Sequence, residues 1–169
     1  MKNIVLTGFM GVGKTEVGRE LSAILGWKVV DVDDEIVKSK KMSINEIFSR
    51  FGEPAFRGME TEMIKKVSRK KNVIISTGGG AVLRQENMEF LKTSGVVVCL
   101  TARPETILKR TSRNRERPLL HVEDPLQRIH DLLEARGPFY EKADIMIDTE
   151  GKSPFGIAEE ILERMGWKR

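Results

Sequence analysis

The residues best suited to do chemistry lie in one glycine-rich loop near the start of the chain. Residues 8–15 read GFMGVGKT, which has the spacing G-x-x-x-x-G-K-[ST]. Glycines at these positions let backbone N–H groups turn towards an anion, and a helix that starts at the loop adds partial positive charge. Lys14 can then reach the β- and γ-phosphates of a nucleotide, and the Thr15 hydroxyl can ligate Mg²⁺. The loop predicts a site for a nucleoside triphosphate with magnesium.

The residues around the loop agree with this interpretation. An apolar run at residues 4–6 predicts a buried strand before it, and apolar residues at helical spacing predict a helix that ends at Gly26. A dinucleotide-binding turn is the nearest alternative, since residues 11–13 read GVG, but its third glycine falls on Glu16. A carboxylate there would repel a pyrophosphate, which disfavours that alternative. The chain has no Asn-Lys-x-Asp guanine-reading motif, so ATP is favoured over GTP.

Two carboxylates follow the second predicted strand. Residues 29–32 read VVDV, and the alternation of a strand places Asp31 and Asp33 on the same side. Ligands of open parallel sheets bind at the carboxyl ends of the strands. One carboxylate can therefore hold the Mg²⁺ shell while the other orients a hydroxyl and accepts its proton. Helix capping is the alternative role for Asp33, and we expect Asp34 to cap the following helix.

Glycines and arginines elsewhere in the chain indicate a second binding region. Residues 78–80 are three consecutive glycines after the third predicted strand, and a close approach of the backbone to a ligand would explain them. Arg57 lies on an amphipathic helix, and Arg136 is expected to end another helix before Gly137. Each is a surface cation when considered alone. If both face one pocket, their guanidinium groups suit a planar carboxylate.

An arginine-rich segment without apolar periodicity covers residues 111–123, and it includes Arg113, Arg115 and Arg117. A solvated charged loop is one interpretation. We favour a mobile lid that closes over phosphates and excludes water, because a phosphotransferase needs such a segment.

The elements that must position these residues alternate along the chain. Short apolar or β-branched runs separated by helical patterns predict a five-stranded parallel sheet covered on both faces, and these runs are residues 4–6, 29–32, 73–76, 96–100 and 145–147. Helix starts are predicted by a capping box at Ser43, by Asp124 before Pro125, and by Ser153 before Pro154. We therefore predict a single domain with a three-layer α/β/α fold over residues 1–169.

Composition narrows the function classes. Lysine and arginine number 29 against 25 acidic residues, a net charge of +4 that suits an anionic ligand. One tyrosine and two tryptophans offer little surface for stacking bases, so we expect no nucleic-acid partner. The single cysteine, Cys99, lies in an apolar run and is expected in the core. With no signal peptide and no long apolar span, we expect a cytoplasmic protein without a membrane partner.

Taken together, these motifs resemble the shikimate kinase family over essentially the whole chain. The matching pieces are residues 8–15, residues 31–33, residues 52–57 with Glu60, residues 77–82, residues 117–120, Arg136 with Pro138 and Tyr140, and residues 148–154. The chain departs from the family pattern at Lys41, where glycine is usual, and at Val32, where threonine or serine is common. The first departure predicts the loss of a helix C-cap.

The resemblance implies an ATP-dependent kinase of the nucleoside-monophosphate-kinase-like fold. It would phosphorylate the 3-hydroxyl of shikimate in the pathway to aromatic amino acids and act as a monomer with Mg²⁺. It would have a substrate-binding segment at about residues 33–61 and a lid at about residues 111–123. Another small-molecule P-loop kinase, of the gluconate or nucleotide type, and a P-loop ATPase module remain alternatives.

The resemblance also assigns roles to individual residues. The catalytic residues would be Lys14, Asp33 and Arg117. The ATP site would comprise Gly11, Val12, Gly13, Lys14, Thr15, Glu16, Arg110, Arg117, Lys152 and Pro154. The shikimate site would comprise Asp33, Arg57, Gly79, Gly80 and Arg136. The magnesium ligands would be Thr15 and Asp31.

Overall fold

A parallel β-sheet forms the centre of the protein. The computed structural model describes residues 2–112, 120 and 122–167. In this part of the chain the strands are β1 (Asn3–Gly8), β2 (Lys28–Asp31), β3 (Val73–Ser76), β4 (Gly95–Thr101) and β5 (Ile145–Asp148). Their order is β2-β3-β1-β4-β5, and every pairing is parallel. The five-stranded parallel sheet predicted from the sequence is confirmed.

Helices cover the sheet. They are α1 (Lys14–Leu25), α2 (Val32–Lys40), α3 (Ile44–Val67), α4 (Gln85–Ser94), α5 (Pro104–Thr111), α6 (Pro125–Tyr140) and α7 (Pro154–Arg164), with a short 3₁₀ helix at Ala81–Leu83. Every residue of β1 is buried, although successive side chains point to opposite faces. Both faces of the central strand are therefore covered, as a parallel sheet requires. None of the described helices is both long and apolar enough to span a membrane.

Several local predictions are confirmed. The Ser43 capping box is complete, because the Glu46 N–H donates to Ser43 Oγ at 3.1 Å and the Ser43 N–H donates to Glu46 Oε2 at 2.8 Å. Asp124 and Ser153 cap α6 and α7, and Gly26 ends α1 in the left-handed conformation. Cys99 is fully buried in the core. These caps fix where each helix leaves the sheet.

The end of the second strand differs from the prediction. β2 stops at Asp31 and α2 begins at Val32, so Asp33 lies in the first turn of a helix and not on a strand. The expected cap, Asp34, was the wrong residue: Asp31 is the N-cap, and its Oδ1 accepts from the Asp34 N–H at 3.1 Å. An extended residue followed by an unpaired helical N–H is the standard setting for an aspartate cap.

Two further positions correct the sequence interpretation. Arg136 lies inside α6, which continues through Pro138 to Tyr140 although the proline cannot donate a helical hydrogen bond. Lys41 does cap α2: it adopts the left-handed conformation (φ 53°) that glycine normally supplies, and its N–H donates to Val37 O at 2.8 Å.

Candidate active site

A cavity of about 620 Å³ opens at the carboxyl ends of β1, β2 and β3. The central strand β1 lies between β3 on one side and β4 on the other, so the chain crosses over to opposite sides of β1. In open parallel sheets, ligand-binding crevices form at the strand ends where the strand order reverses in this way. The predicted catalytic, nucleotide, substrate and metal residues that the structure describes all line this cavity. Arg117 and residues 113–119 around it fall outside the described part of the chain.

The glycine-rich loop forms one wall of the cavity. Gly11 and Gly13 have φ values of 79° and 99°, which other residues rarely adopt. Gly13 is the N-cap of α1 and makes no side-chain cap hydrogen bond, so the helix start faces the cavity. Lys14 Nζ donates to Gly8 O at 2.7 Å and to Phe9 O at 2.9 Å. The loop thus places a lysine and a helix N-terminus together, as phosphate binding requires.

Thr15 and Asp31 line the same wall and offer oxygen ligands. Asp31 Oδ1 is engaged by the Asp34 N–H, which fixes the carboxylate beside the loop. Among the described residues no group of three or more histidines, cysteines or acids could hold a metal by itself. Mg²⁺ is usually held by one or two protein oxygens together with water and substrate phosphates, so this donor set fits Mg²⁺.

Asp33 has an unusual electrostatic setting. Burial, together with the negative charges of Asp31 and Glu60, raises its pKa from 3.8 to about 7, although the positive charges of Lys14 and Arg57 oppose the rise. Its Oδ1 is buried and has no hydrogen-bond partner among the described residues. A carboxylate that titrates near neutral pH and lacks a donor is suited to accept a proton from a bound hydroxyl.

Arg57 is held by an acidic pair on its own helix. Its Nη1 lies 3.0 Å from Glu60 Oε2 and its Nη2 lies 3.2 Å from Glu53 Oε1. Glu60 is fully buried, and burial raises its pKa although Arg57 lowers it. The sequence interpretation gave Glu60 no role. The i, i+3 spacing from Arg57 was the available signal, but it does not reveal that the carboxylate is buried.

Gly80 lies directly against the Arg57 guanidinium. A Cβ atom built on Gly80 would lie 2.5 Å from Arg57 Cζ and 2.6 Å from Nη1. Real Cβ atoms do not approach so closely, so a larger residue at this position would require the Arg57 guanidinium to move. The sequence predicts a close approach of this backbone to a ligand; the group that Gly80 approaches in the structure is a protein side chain, Arg57, which itself lines the cavity.

Arg136 reaches the same turn from the other side. It is buried, its Cζ lies 5.6 Å from the centroid of the Phe9 ring, and its Nη1 would lie 3.2 Å from a Cβ on Gly79. Tyr140 Oη, also near this turn, donates to Gly79 O at 2.7 Å. The two guanidinium groups converge on neighbouring glycines, a convergence that the sequence left open. Arginines so placed suit a planar carboxylate.

The opposite end of the cavity carries further predicted nucleotide residues. Arg110 Nη1 donates to Gly11 O at 3.3 Å, which joins α5 to the glycine-rich loop. Lys152 Nζ pairs with Glu160 at 2.7 Å, and Pro154 begins α7 beside it. Glu16 also lines the cavity and lies 3.6 Å from Arg19. This end is lined by loop and helix termini, with room for the rest of a nucleotide.

Comparison with known proteins agrees with this geometry. The family model described as "SKI: Shikimate kinase" matches residues 10–166. A shikimate kinase of Thermodesulfovibrio yellowstonii is 54% identical over 163 residues, covering 96% of this chain and 94% of that protein. One of Caldanaerobacter subterraneus subsp. tengcongensis is 49% identical over 162 residues, covering 96% and 95%.

Solved structures give the same result. The shikimate kinase from Acinetobacter baumannii in complex with shikimate has a TM-score of 0.94 and 41% identity, covering 98% of this chain and 93% of that one. The shikimate kinase from Aquifex aeolicus has a TM-score of 0.85 and 41% identity, covering 97% and 96%. Both likenesses extend over nearly the full length of the compared chains.

Proposed function

The chain belongs to the shikimate kinase family, and from that premise we propose that it transfers the γ-phosphoryl group of ATP to the 3-hydroxyl of shikimate. The products are shikimate 3-phosphate and ADP, and the step belongs to the pathway to aromatic amino acids. One observation carries the proposal: a single cavity has a phosphate-binding loop on one wall and two arginines with a proton-accepting carboxylate on another.

The substrate end supports a hydroxylated carboxylate. Arg57 and Arg136 bind the shikimate carboxylate, because both guanidinium groups line the cavity beside the glycine turn. Gly79 and Gly80 let the acceptor approach the backbone between them. Asp33 lies across Gly78 from this turn, 3.3 Å from a Cβ built there, and binds the reacting hydroxyl.

The nucleotide end supports ATP. Residues 11–16 wrap the phosphates, and Lys14 lies where it can contact the β- and γ-phosphates. Arg110, Lys152 and Pro154 border the nucleotide. Arg117 contacts ATP from the lid at residues 111–123, an assignment that rests on the sequence motif. We also assign residues 33–61 as the substrate-binding segment of a single-domain, monomeric, cytoplasmic enzyme.

Thr15 and Asp31 would hold Mg²⁺, which when bound supplies positive charge to the phosphates. The chain's own residues do the rest. Asp33 takes the proton as the hydroxyl oxygen bonds to phosphorus and the bond from phosphorus to the ADP oxygen breaks. Lys14 stabilises the charge that develops on the transferred group. Holding the hydroxyl in line can supply about 7–11 kcal/mol of the barrier in favourable cases.

A coupled ADP-release assay with several acceptors tests the proposal. With ATP and Mg²⁺, we expect rapid turnover with shikimate and little with gluconate, nucleoside monophosphates, DNA or RNA. Lys14→Ala should abolish turnover. The control is Lys92→Ala, which should keep turnover, because Lys92 is an exposed residue of α4 that pairs with Asp144. If DNA or RNA stimulates ATP turnover and shikimate has no effect on it, the proposed kinase function is wrong and the chain is an ATPase module.

A further inference from the structure

Tyr140 is the last residue of α6 and lies beside the proposed acceptor site. Its side chain is buried, 4% exposed, and its hydroxyl donates to Gly79 O at 2.7 Å across 61 residues of sequence. A phenol that makes such a bond in the core holds its partner firmly, since a buried donor is costly to leave unpaired. Burial also raises the Tyr140 pKa to about 12, so the hydroxyl keeps its proton at working pH.

The same hydroxyl also lies near Arg136. The two residues are four positions apart on α6 and so share a helix face, and Arg136 Nη1 and Tyr140 Oη would lie 3.2 Å and 3.4 Å from the same Cβ atom built on Gly79. The positive charge of Arg136 lowers the Tyr140 pKa, against the larger effect of burial. A phenol can donate one hydrogen bond and accept others. Tyr140 therefore lies beside Arg136 on α6 and is hydrogen-bonded to the backbone that follows β3, so it contacts both groups that border the acceptor site.

The bond to Gly79 has a consequence for Gly80. A trans peptide is rigid and planar, so the Gly79 carbonyl and the Gly80 N–H point in opposite directions. Fixing the carbonyl towards Tyr140 fixes the N–H away from it. The Gly79 position is also crowded: an added Cβ would meet Arg136 Nη1 at 3.2 Å, Gly8 O at 3.3 Å and Tyr140 Oη at 3.4 Å. The Tyr140 hydroxyl is thus one of three groups packed against this turn, and the one that is hydrogen-bonded to its carbonyl.

We propose that the Tyr140 hydroxyl is a positioning group for the acceptor site: it holds the Gly79–Gly80 peptide and the Arg136 guanidinium in the arrangement that binds the acceptor carboxylate. This inference rests on the proposed function for its acceptor. Tyr140 touches neither reactant; it acts through Gly79 and Arg136. Removing the hydroxyl frees the peptide to rotate and Arg136 to leave the turn, which weakens acceptor binding and leaves ATP binding intact.

The variant Tyr140→Phe tests this, because it removes the hydroxyl and keeps the ring. We expect the KM for shikimate to rise about tenfold, the effect of one lost hydrogen bond, with the KM for ATP within about twofold of wild type. Ser22→Ala is the matched control: its hydroxyl donates to Trp27 O at 2.6 Å, away from the cavity. It should change neither KM. A shikimate KM within twofold of wild type, or equal rises for both substrates, would overturn the inference.

A second readout needs no substrate. In ¹H–¹⁵N spectra of the ligand-free protein, Tyr140→Phe should shift the Gly79 and Gly80 amide signals and the Arg136 side-chain signal, while Ser22→Ala leaves them in place. Unmoved glycine signals would overturn the inference whatever the enzyme phosphorylates. The two proposals can fail separately. If the signals shift but the wild-type protein does not phosphorylate shikimate, the proposed function is wrong and the positioning role of Tyr140 is supported. Urea unfolding of both variants checks that they fold.

Discussion

Replacing Asp33 by asparagine should remove activity and stabilise the fold at the same time. The carboxyl oxygen Oδ1 is buried without a hydrogen-bond partner among the described residues, and burial with two nearby acids raises the Asp33 pKa to about 7. Asparagine has nearly the same shape and no charge. The variant therefore loses the proton acceptor and also removes a buried negative charge that the wild-type fold must accommodate above pH 7.

The size of the effect follows from the pKa. The unfolded chain titrates at 3.8 and the folded protein at about 7, so between these values the folded state binds more protons and its stability falls as pH rises. The contribution of protonated Asp33 to the free energy of unfolding is fully present below pH 3.8 and is lost as pH rises through 7. Relative to wild type, Asp33→Asn should gain at most about 4 kcal/mol at pH 8 and about 2 kcal/mol at pH 5.

Urea unfolding at pH 5 and pH 8 measures the stability, and the coupled assay measures the activity. We expect a stability gain that grows with pH and a loss of kcat of at least about a hundredfold. In wild type, kcat/KM for shikimate should fall about tenfold per pH unit below about pH 7, because Asp33 must be ionised to accept the proton. Asp34→Asn, an exposed acid on the same turn, is the control and should change each quantity little. An Asp33→Asn variant that is no more stable at pH 8 than wild type, or that keeps activity within tenfold, would refute the reasoning.

Three other variants test separate parts of the structure. Gly80→Ala should raise the KM for shikimate at least about tenfold in steady-state kinetics, because the new methyl group must displace Arg57 from Glu60; a KM within twofold of wild type would show that the turn adapts. Arg136→Ala should raise the KM for shikimate far more than that for ATP, and equal effects would place Arg136 outside the acceptor site. Lys41→Gly should stabilise the fold by about 0.5–1 kcal/mol in urea unfolding, since glycine adopts φ 53° without strain; Lys41→Ala should give no such gain.

Local patterns predicted the sheet and the glycine-rich loop well. The five strands were visible because each is a short apolar run between helical patterns, and the loop because its glycines and Lys14 have fixed spacing. The caps at Ser43, Asp124 and Ser153 were visible for the same reason, since each signal lies within four residues of sequence.

The features that the sequence did not predict depend on contacts between residues that are distant in the sequence. The strand after Lys28 ends one residue earlier than its valines suggest, because Val32 is buried equally well in a helix. The packing of Arg57 against Gly80 and of Arg136 against Gly79 depends on contacts between residues that are 23 and 57 positions apart in the sequence. The burial of Glu60, and therefore its effect on the Asp33 pKa, also depends on tertiary packing.

The position of the transferred phosphate tests the central claim most directly. Purified protein is incubated with ATP, Mg²⁺ and shikimate, and the product is examined by ³¹P and ¹H NMR spectroscopy. The proposed function predicts one new phosphate ester, on the 3-hydroxyl, formed together with an equal amount of ADP. Phosphate on another hydroxyl, or ADP formed without a phosphorylated acceptor, would contradict the account.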